Sequence, residues 1–261
     1  MHAASRDSFF QQQHYQLMRS KLLPRQLLVL MDFTSAYLTP KIGHSSNPSV
    51  VQDCIVVLEY FSNGQRMREN INFLCDCQES NKNDFHFVLT VWLLLFHFKK
   101  FNDHFDSIDV WSDGGPHHFK TRYCQWMWHW LSSNKFNNKR ISHHFFASYH
   151  GHSLADAHAA SIKRIIRTEY NMSQLQRFDV TTLAMYWGPP DATAVGRLIK
   201  KCSNTEICVI PHIDRDPALK PNPVPLVNIK RQHRFDYENG LCFRSERDEG
   251  TEKILFSFQL R

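Results

Sequence analysis

The stretch LLVLMD at residues 27–32 decides the fold that we predict for this chain. Five consecutive apolar residues followed by an acid are typical of a strand that is buried on both faces of a sheet. Such a strand lies in the interior of an α/β protein, between layers that cover the sheet on both sides. Asp32 then stands at the carboxyl end of the strand, where the chain leaves the sheet.

The segments after this strand alternate between strand and helix patterns. Two strand-like runs, Cys54–Phe61 and Ile71–Cys77, are joined through Asn63-Gly64, a strong hairpin signal. Helices are predicted over residues 8–22, 84–100, 118–131 and 153–170, and further strands over 107–111 and 141–148. This order resembles the RNase H-like topology: a mixed sheet, made of an antiparallel hairpin plus parallel strands, flanked by helices.

The pattern divides the chain into four parts. Residues 1–24 are a helical lead-in, residues 25–172 the RNase H-like core, residues 173–225 a connector, and residues 226–261 a small C-terminal β appendage. The connector holds a short predicted helix over 191–202 and then a proline-rich linker from 211 to 225.

Composition favours an intracellular protein with a polyanionic partner. The 31 basic and 25 acidic residues give a formal net charge of +6, a mild excess that suits nucleic acid without requiring it. The seven cysteines are odd in number, and without CxxC spacing they are interpreted as reduced thiols. The N-terminus lacks the apolar core of a signal peptide. The run from 88 to 98 is about half a membrane span, so we expect a buried helix and no membrane partner.

Two acids end neighbouring strands of the predicted sheet. Asp32 ends the first strand, and Asp113 follows the fourth in the sequence WSDGG at 111–115. Alone, Asp32 is equally explained as an acid meeting solvent, and Asp113 is better explained by Asp-Gly turn chemistry. Together they predict carboxylate ligands for Mg²⁺ or Mn²⁺, because two such ions about 4 Å apart can act on a phosphodiester.

The third acid is less determined. Asp156 begins the helix after the fifth strand, where a third ligand is expected, but Ser153 three residues earlier makes a capping box an equal alternative. Asp109, within the fourth strand, is the weaker candidate. Glu169 lies about four turns down the helix and is expected to point away.

Histidines are frequent near the predicted site. His150 is the predicted catalytic helper, since it stands beside the proposed ligands. A zinc site built from His150, His152 and His158, or with Asp156, is disfavoured, because this spacing matches no zinc motif.

Basic and aromatic side chains on the flanking helices are candidates for nucleic-acid contacts. A solvated helix face is an equal alternative for the basic ones. Trp126, Trp128 and Trp130 alternate along one helix, so one is expected inside while another stays available to a partner or a base. The predicted phosphate-binding residues are Lys120, Arg122, Lys163, Arg164 and Arg167.

Three segments resemble transposon-derived proteins of eukaryotes: MDFT at 31–34, WSDGGPHHFK at 111–120, and FFASYHGHS at 145–153 with Asp156 and Lys163. In that family a DF strand, an SDG…FK turn and an HGK…D…K segment recur in this order, and the resemblance covers about residues 10–170. It implies a metal-dependent transposase or integrase-type nuclease core, with Asp32, Asp113 and Asp156 as the metal ligands. DNA as the partner and a nuclear location follow from the same resemblance.

Two hypotheses for function therefore stand. The first is metal-dependent DNA strand cleavage or transfer by an active or domesticated transposase core. The second is a catalytically inactive transposase-derived protein that binds nucleic acid or acts as a scaffold; His152, standing where the family has lysine, motivates it. Self-association into a homo-oligomer is left open.

Overall fold

The computed structural model describes residues 3–34, 37–38, 50–76, 84–115, 118–146, 154–175, 192–203, 205–213, 215, 221, 223, 229, 232–239, 241–245 and 254–256.

A mixed sheet organises the described part of the chain. Its centre is β1 (Gln26–Phe33), which extends the apolar run by one residue at its start and two at its end. After the short β2 (Tyr37–Leu38), β3 (Val50–Ser62) pairs antiparallel with β1, and β4 (Gln65–Asp76) pairs antiparallel with β3. On the other side of β1, β5 (Ser107–Asp113) and β6 (Arg140–Phe146) follow in parallel. The predicted α/β fold with an RNase H-like mixed sheet is confirmed.

Later parts of the chain extend this sheet at both edges. β7 (Glu206–Ile210), which the sequence pattern did not predict, pairs parallel with β4. The predicted C-terminal strands form as β8 (Arg234–Glu238), β9 (Leu241–Ser245) and β10 (Ile254–Phe256). They join the same sheet, because β8 pairs antiparallel with β6.

Helices cover both faces of the sheet. One face carries α2 (Phe85–Lys99), the short α3 (Phe101–His104) and α4 (Arg122–Asn134). The other carries α1 (Ala3–Ser20), α5 (Leu154–Leu175) and α6 (Ala192–Cys202). None of the helices described has the length and apolarity that crossing a bilayer requires.

Local signals explain where these elements begin and turn. The Asp84 side chain accepts a hydrogen bond from the Phe87 amide at 3.1 Å and starts α2 as predicted. α4 begins four residues later than predicted, because Thr121 is its N-cap and accepts from the Cys124 amide at 3.2 Å. Positive φ angles at Asn63 (51°) and Gly64 (76°) close the β3–β4 hairpin, as a tight primed turn requires.

A buried carboxylate ties α1 to the hairpin. The Glu59 side chain, 3% exposed, pairs with three guanidiniums: Arg19 at 2.8 Å, Arg66 at 2.6 Å and Arg68 at 2.7 Å. Burial raises the pKa of the Glu59 carboxyl, but the three guanidiniums outweigh burial, so its pKa lies below the usual 4.5. Because the pKa is lowered in the folded state, the ionised carboxylate stabilises the fold.

Glu59→Gln is expected to lower the free energy of unfolding by about 2–3 kcal/mol at pH 7, because three guanidiniums lose their counter-charge. The stabilisation that Glu59 provides is fully present at pH values above its ordinary pKa. It is lost as the pH falls through the lower pKa that Glu59 has in the folded state. Urea denaturation should therefore show a smaller difference in the free energy of unfolding between variant and wild type at about pH 3 than at pH 7. Glu238→Gln, at an exposed position, is the control and should change little. A difference that stayed constant down to pH 3 would contradict this account.

The end of β5 packs closely on β6 at Gly114. A Cβ at this position would lie well inside van der Waals contact with the carbonyl oxygen of Phe146, which is backbone and cannot swing away. Glycine is therefore required for the close approach of the two strand ends.

Gly114→Ala is expected to destabilise the fold by about 1–3 kcal/mol, the usual cost of forcing extra volume into a packed site. Chemical denaturation measures the difference. A variant as stable as the wild type would show that the ends of β5 and β6 can separate without cost.

Candidate functional site

Sheet pairing brings Asp32 and Asp113 to the same edge. Leu30 of β1 lies opposite Trp111 of β5 in parallel register, and each acid stands two residues beyond its strand's member of this pair. Side chains two residues apart share a face, and neighbouring strands lie about 4.8 Å apart. The two carboxylates therefore leave the sheet side by side, on the face that α1 and α5 cover.

The surroundings of Asp32 link it to further charged groups. Burial, and to a lesser extent the negative charges of Asp156 and Asp113, raise the pKa of the Asp32 carboxyl to about 7. The Phe33 amide, which donates to Asp32 Oδ1 at 2.8 Å, and the positive charge of Lys163 act in the opposite direction. The carboxylates of Asp113 and Asp156, from two other elements, thus lie close enough to Asp32 to influence it.

α5 contributes Asp156 and Lys163 from one side of the helix. These residues are seven positions apart, or two helical turns, so they project in similar directions. Ala155 and Ala159 are buried against the sheet and fix the first turns of α5 there. Asp156 is exposed, and Lys163 is half-buried.

The three acids lie near one another but do not form a complete metal-binding site. Among the residues that the structure describes, no group of three or more His, Cys, Asp or Glu side chains is disposed to hold an ion. The chemistry of the donors nevertheless suits Mg²⁺ or Mn²⁺, which prefer carboxylate oxygens. A cation at this edge would also offset the burial and the repulsion that raise the pKa of Asp32.

Lys120 lies inside the protein rather than on a helix that faces solvent. It precedes α4, is 7% exposed, and holds its ammonium 4.9 Å from the centre of the Phe145 ring. Burial lowers the pKa of Lys120 to about 8, while the Asp113 carboxylate acts to raise it. Lys120 thus lies near the end of the sheet that carries Asp32, Asp113 and Asp156, which we call the acid edge. Phosphate binding by Lys120 stays a prediction.

The other predicted residues occupy varied positions. Arg122 starts α4 and donates to the Tyr123 hydroxyl at 3.0 Å, with its guanidinium 4.9 Å from that ring's centre. Arg164 is exposed on α5. The side chain of Arg167 and the whole of His150 and His152 lie outside the described residues.

Asp109 belongs to a separate buried cluster. It is 2% exposed, lies four residues before Asp113 on β5, and accepts from Gln26 at 2.6 Å. His144 approaches its carboxylate at 3.3 Å and stacks on Trp111, with ring centres 4.8 Å apart. These partners account for Asp109 as a structural acid in the sheet interior.

The tryptophans of α4 divide as expected. Trp128 is fully buried, whereas Trp126 and Trp130 are partly exposed and stack on each other with ring centres 6.2 Å apart.

A hydrogen-bonded chain that the sequence did not single out lies beside the acid edge. The Asn72 side-chain amide donates to Asp53 Oδ2 at 2.7 Å, and Asn72 Oδ1 faces His158 Nε2 at 2.9 Å. Asn72 and Asp32 both lie opposite Ile55, on β4 and β1 respectively. Asp53 and Asn72 are fully buried, so this chain ties α5 to the two strands of the hairpin. The available signal was Asp53 itself, an acid directly before the apolar residues 54–58 of β3.

Comparison with known proteins gives one result. No curated protein and no solved structure matches the chain. A family described as "Domain of unknown function (DUF8701)" matches residues 11–186, which include β1 to β6 and the three clustered acids. Because this match spans about two thirds of the sequence, the chain belongs to the DUF8701 family.

Proposed function

We propose that the chain is a metal-dependent DNA-cleaving or strand-transferring core of the transposase or integrase type. One observation carries the proposal: Asp32 and Asp113, far apart in the sequence, end neighbouring parallel strands side by side, and the charge of Asp156 on α5 also reaches Asp32. Keeping like charges together is unfavourable unless a cation is shared between them. Such clusters are frequent where function requires them.

The roles follow from the positions of the side chains. Asp32, Asp113 and Asp156 would hold Mg²⁺ or Mn²⁺ through carboxylate oxygens. When bound, the ions would supply Lewis-acid activation of a phosphodiester and of the attacking oxygen. Lys163 places a positive charge near Asp32 and favours its ionised form. DNA is the proposed partner and the nucleus the proposed compartment.

Lys120 would act by positioning. Its buried ammonium shares the surroundings of Asp113, whose Oδ2 lies 2.6 Å from where a Cβ on Gly115 would stand. Glycine at position 115 leaves room for this carboxylate beside the backbone, and the positive charge of Lys120 attracts it. Both features favour an Asp113 carboxylate that stays at the end of β5, next to Asp32.

Asp32→Asn and Asp113→Asn are expected to lower metal-dependent nicking of supercoiled DNA by at least about 100-fold, because each removes an anionic oxygen ligand. Nicking is measured by gel electrophoresis with Mg²⁺, with Mn²⁺ and with EDTA. The matched control is Asp103→Asn, which neutralises an exposed acid on α3 and should leave nicking unchanged. Nicking that persisted in both variants would end the assignment.

A second candidate is a catalytically inactive protein that binds nucleic acid or acts as a scaffold. It is favoured by the exposed position of Asp156 and by the lack, in the described ranges, of a group already disposed to hold an ion. DNA binding that EDTA leaves unchanged, without cleavage under either metal, would select this candidate over the first.

Mg²⁺ binding can be followed without any activity. Addition of Mg²⁺ or Mn²⁺ at pH 8 is expected to raise the Tm of the wild type, because an ion that binds the folded state stabilises it. In Asp32→Asn the metal-dependent rise should be lost, whereas Asp103→Asn should retain it. Equal shifts in the wild type and Asp32→Asn would place metal binding elsewhere.

A further inference from the structure

We propose that Arg19, Arg66 and Arg68 form a second anion site that binds phosphate groups of a nucleic-acid backbone, away from the clustered acids. Three guanidiniums meet the single carboxylate of Glu59, which leaves a surplus of two positive charges. The choice of nucleic acid over another polyanion rests on the proposed function. The anion site itself rests on the arginines.

Neutralising Glu59 does not require three partners. The Arg19 Nε group alone lies 2.8 and 3.0 Å from the two carboxylate oxygens. Arg66 adds Nη2 at 2.6 Å, and Arg68 adds Nε at 2.8 Å and Nη2 at 2.7 Å. Holding three like charges around one acid costs repulsion, which an external anion would relieve. In the described part of the chain the ion pairs of these arginines all go to Glu59.

Hydrogen-bond donors remain for such an anion. A guanidinium has five N–H groups in a fixed plane, and Glu59 engages only one or two from each arginine. The side chains of Arg19, Arg66 and Arg68 are 26%, 36% and 41% exposed, so part of each reaches solvent. Because the buried carboxylate already fixes them, little side-chain entropy is lost when a phosphate binds.

An ordinary surface ion pair elsewhere in the chain provides the contrast. Arg25 meets Asp106 at 2.7 Å, with side chains 54% and 60% exposed, and Lys139 lies 3.6 Å from the same carboxylate. This group has one surplus positive charge, against two around Glu59, and its carboxylate is exposed whereas Glu59 is buried. The comparison separates the effect of the arginine cluster from that of removing any exposed arginine.

The position of the cluster suits a nucleic acid that also reaches the acid edge. Glu59 lies opposite Leu28, and Asp32 lies opposite Ile55, so the two sites are four residues apart along the same strands and on the same face. Four residues of strand span roughly 13 Å. That distance corresponds to about four nucleotides along one strand of a duplex.

The test measures binding of the full chain to a fluorescent DNA duplex in EDTA, so cleavage plays no part. Arg66→Gln and Arg68→Gln are each expected to weaken binding severalfold at low salt. Each should also reduce the slope of log affinity against log salt by about 0.9, the value for one phosphate contact. The matched control Arg25→Gln should leave both quantities unchanged. Arg66→Lys, which keeps the charge, should retain most of the slope.

Folding is checked by thermal unfolding of each variant, since Glu59 keeps two guanidiniums in every single substitution. Slopes for Arg66→Gln and Arg68→Gln equal to that of Arg25→Gln would overturn the proposal, as would a wild type that binds no DNA. DNA binding with these slope changes but without metal-dependent nicking would keep the anion site and reject only the nuclease function.

Discussion

Parallel pairing between β1 and β5 is the constraint on which the rest of the structure depends. It sets the acids at 32 and 113 side by side, because both strands run in the same direction and end at the same edge. The pairing is buried on both faces: residues 27 to 31 are at most 1% exposed, with helices above and below. A strand in this position cannot slip by one residue without moving its whole apolar set to the wrong face. The register of the candidate site is therefore fixed by the hydrophobic core.

The two faces of the sheet hold their polar groups in different ways. On the face of α4, Ser112 and His143 meet at 2.8 Å, and burial lowers the pKa of His143 well below its usual value. That histidine stays neutral and structural. On the face of α5, polar side chains of the sheet bond to the helix. Asn72 of the hairpin meets His158 of α5 there, beside the acid edge. The catalytic chemistry that we propose belongs to this second face, where charged and partly exposed side chains coincide.

The central strands and most helices could be predicted because their signals are local: continuous apolar runs, the Asn-Gly turn, and the N-cap at Asp84. β7 was missed because an apolar run of four residues does not reveal its partner, and β4 lies over 130 residues earlier in the sequence. The alignment of Asp32 with Asp113 followed from strand order. The burial of Lys120 did not, since it depends on where α4 begins, and a pattern fixes a helix end only to within several residues.

The outer strands of the sheet limit where the chain can be truncated. The DUF8701 region ends at residue 186, but β7 covers the edge of β4, and β8 covers the edge of β6. A fragment trimmed to the family boundaries would present both of these strands with unsatisfied backbone groups, the surfaces along which β-proteins pair with each other. Recombinant work on this family is therefore better begun from boundaries set by the hydrogen-bonded sheet than from those set by sequence similarity.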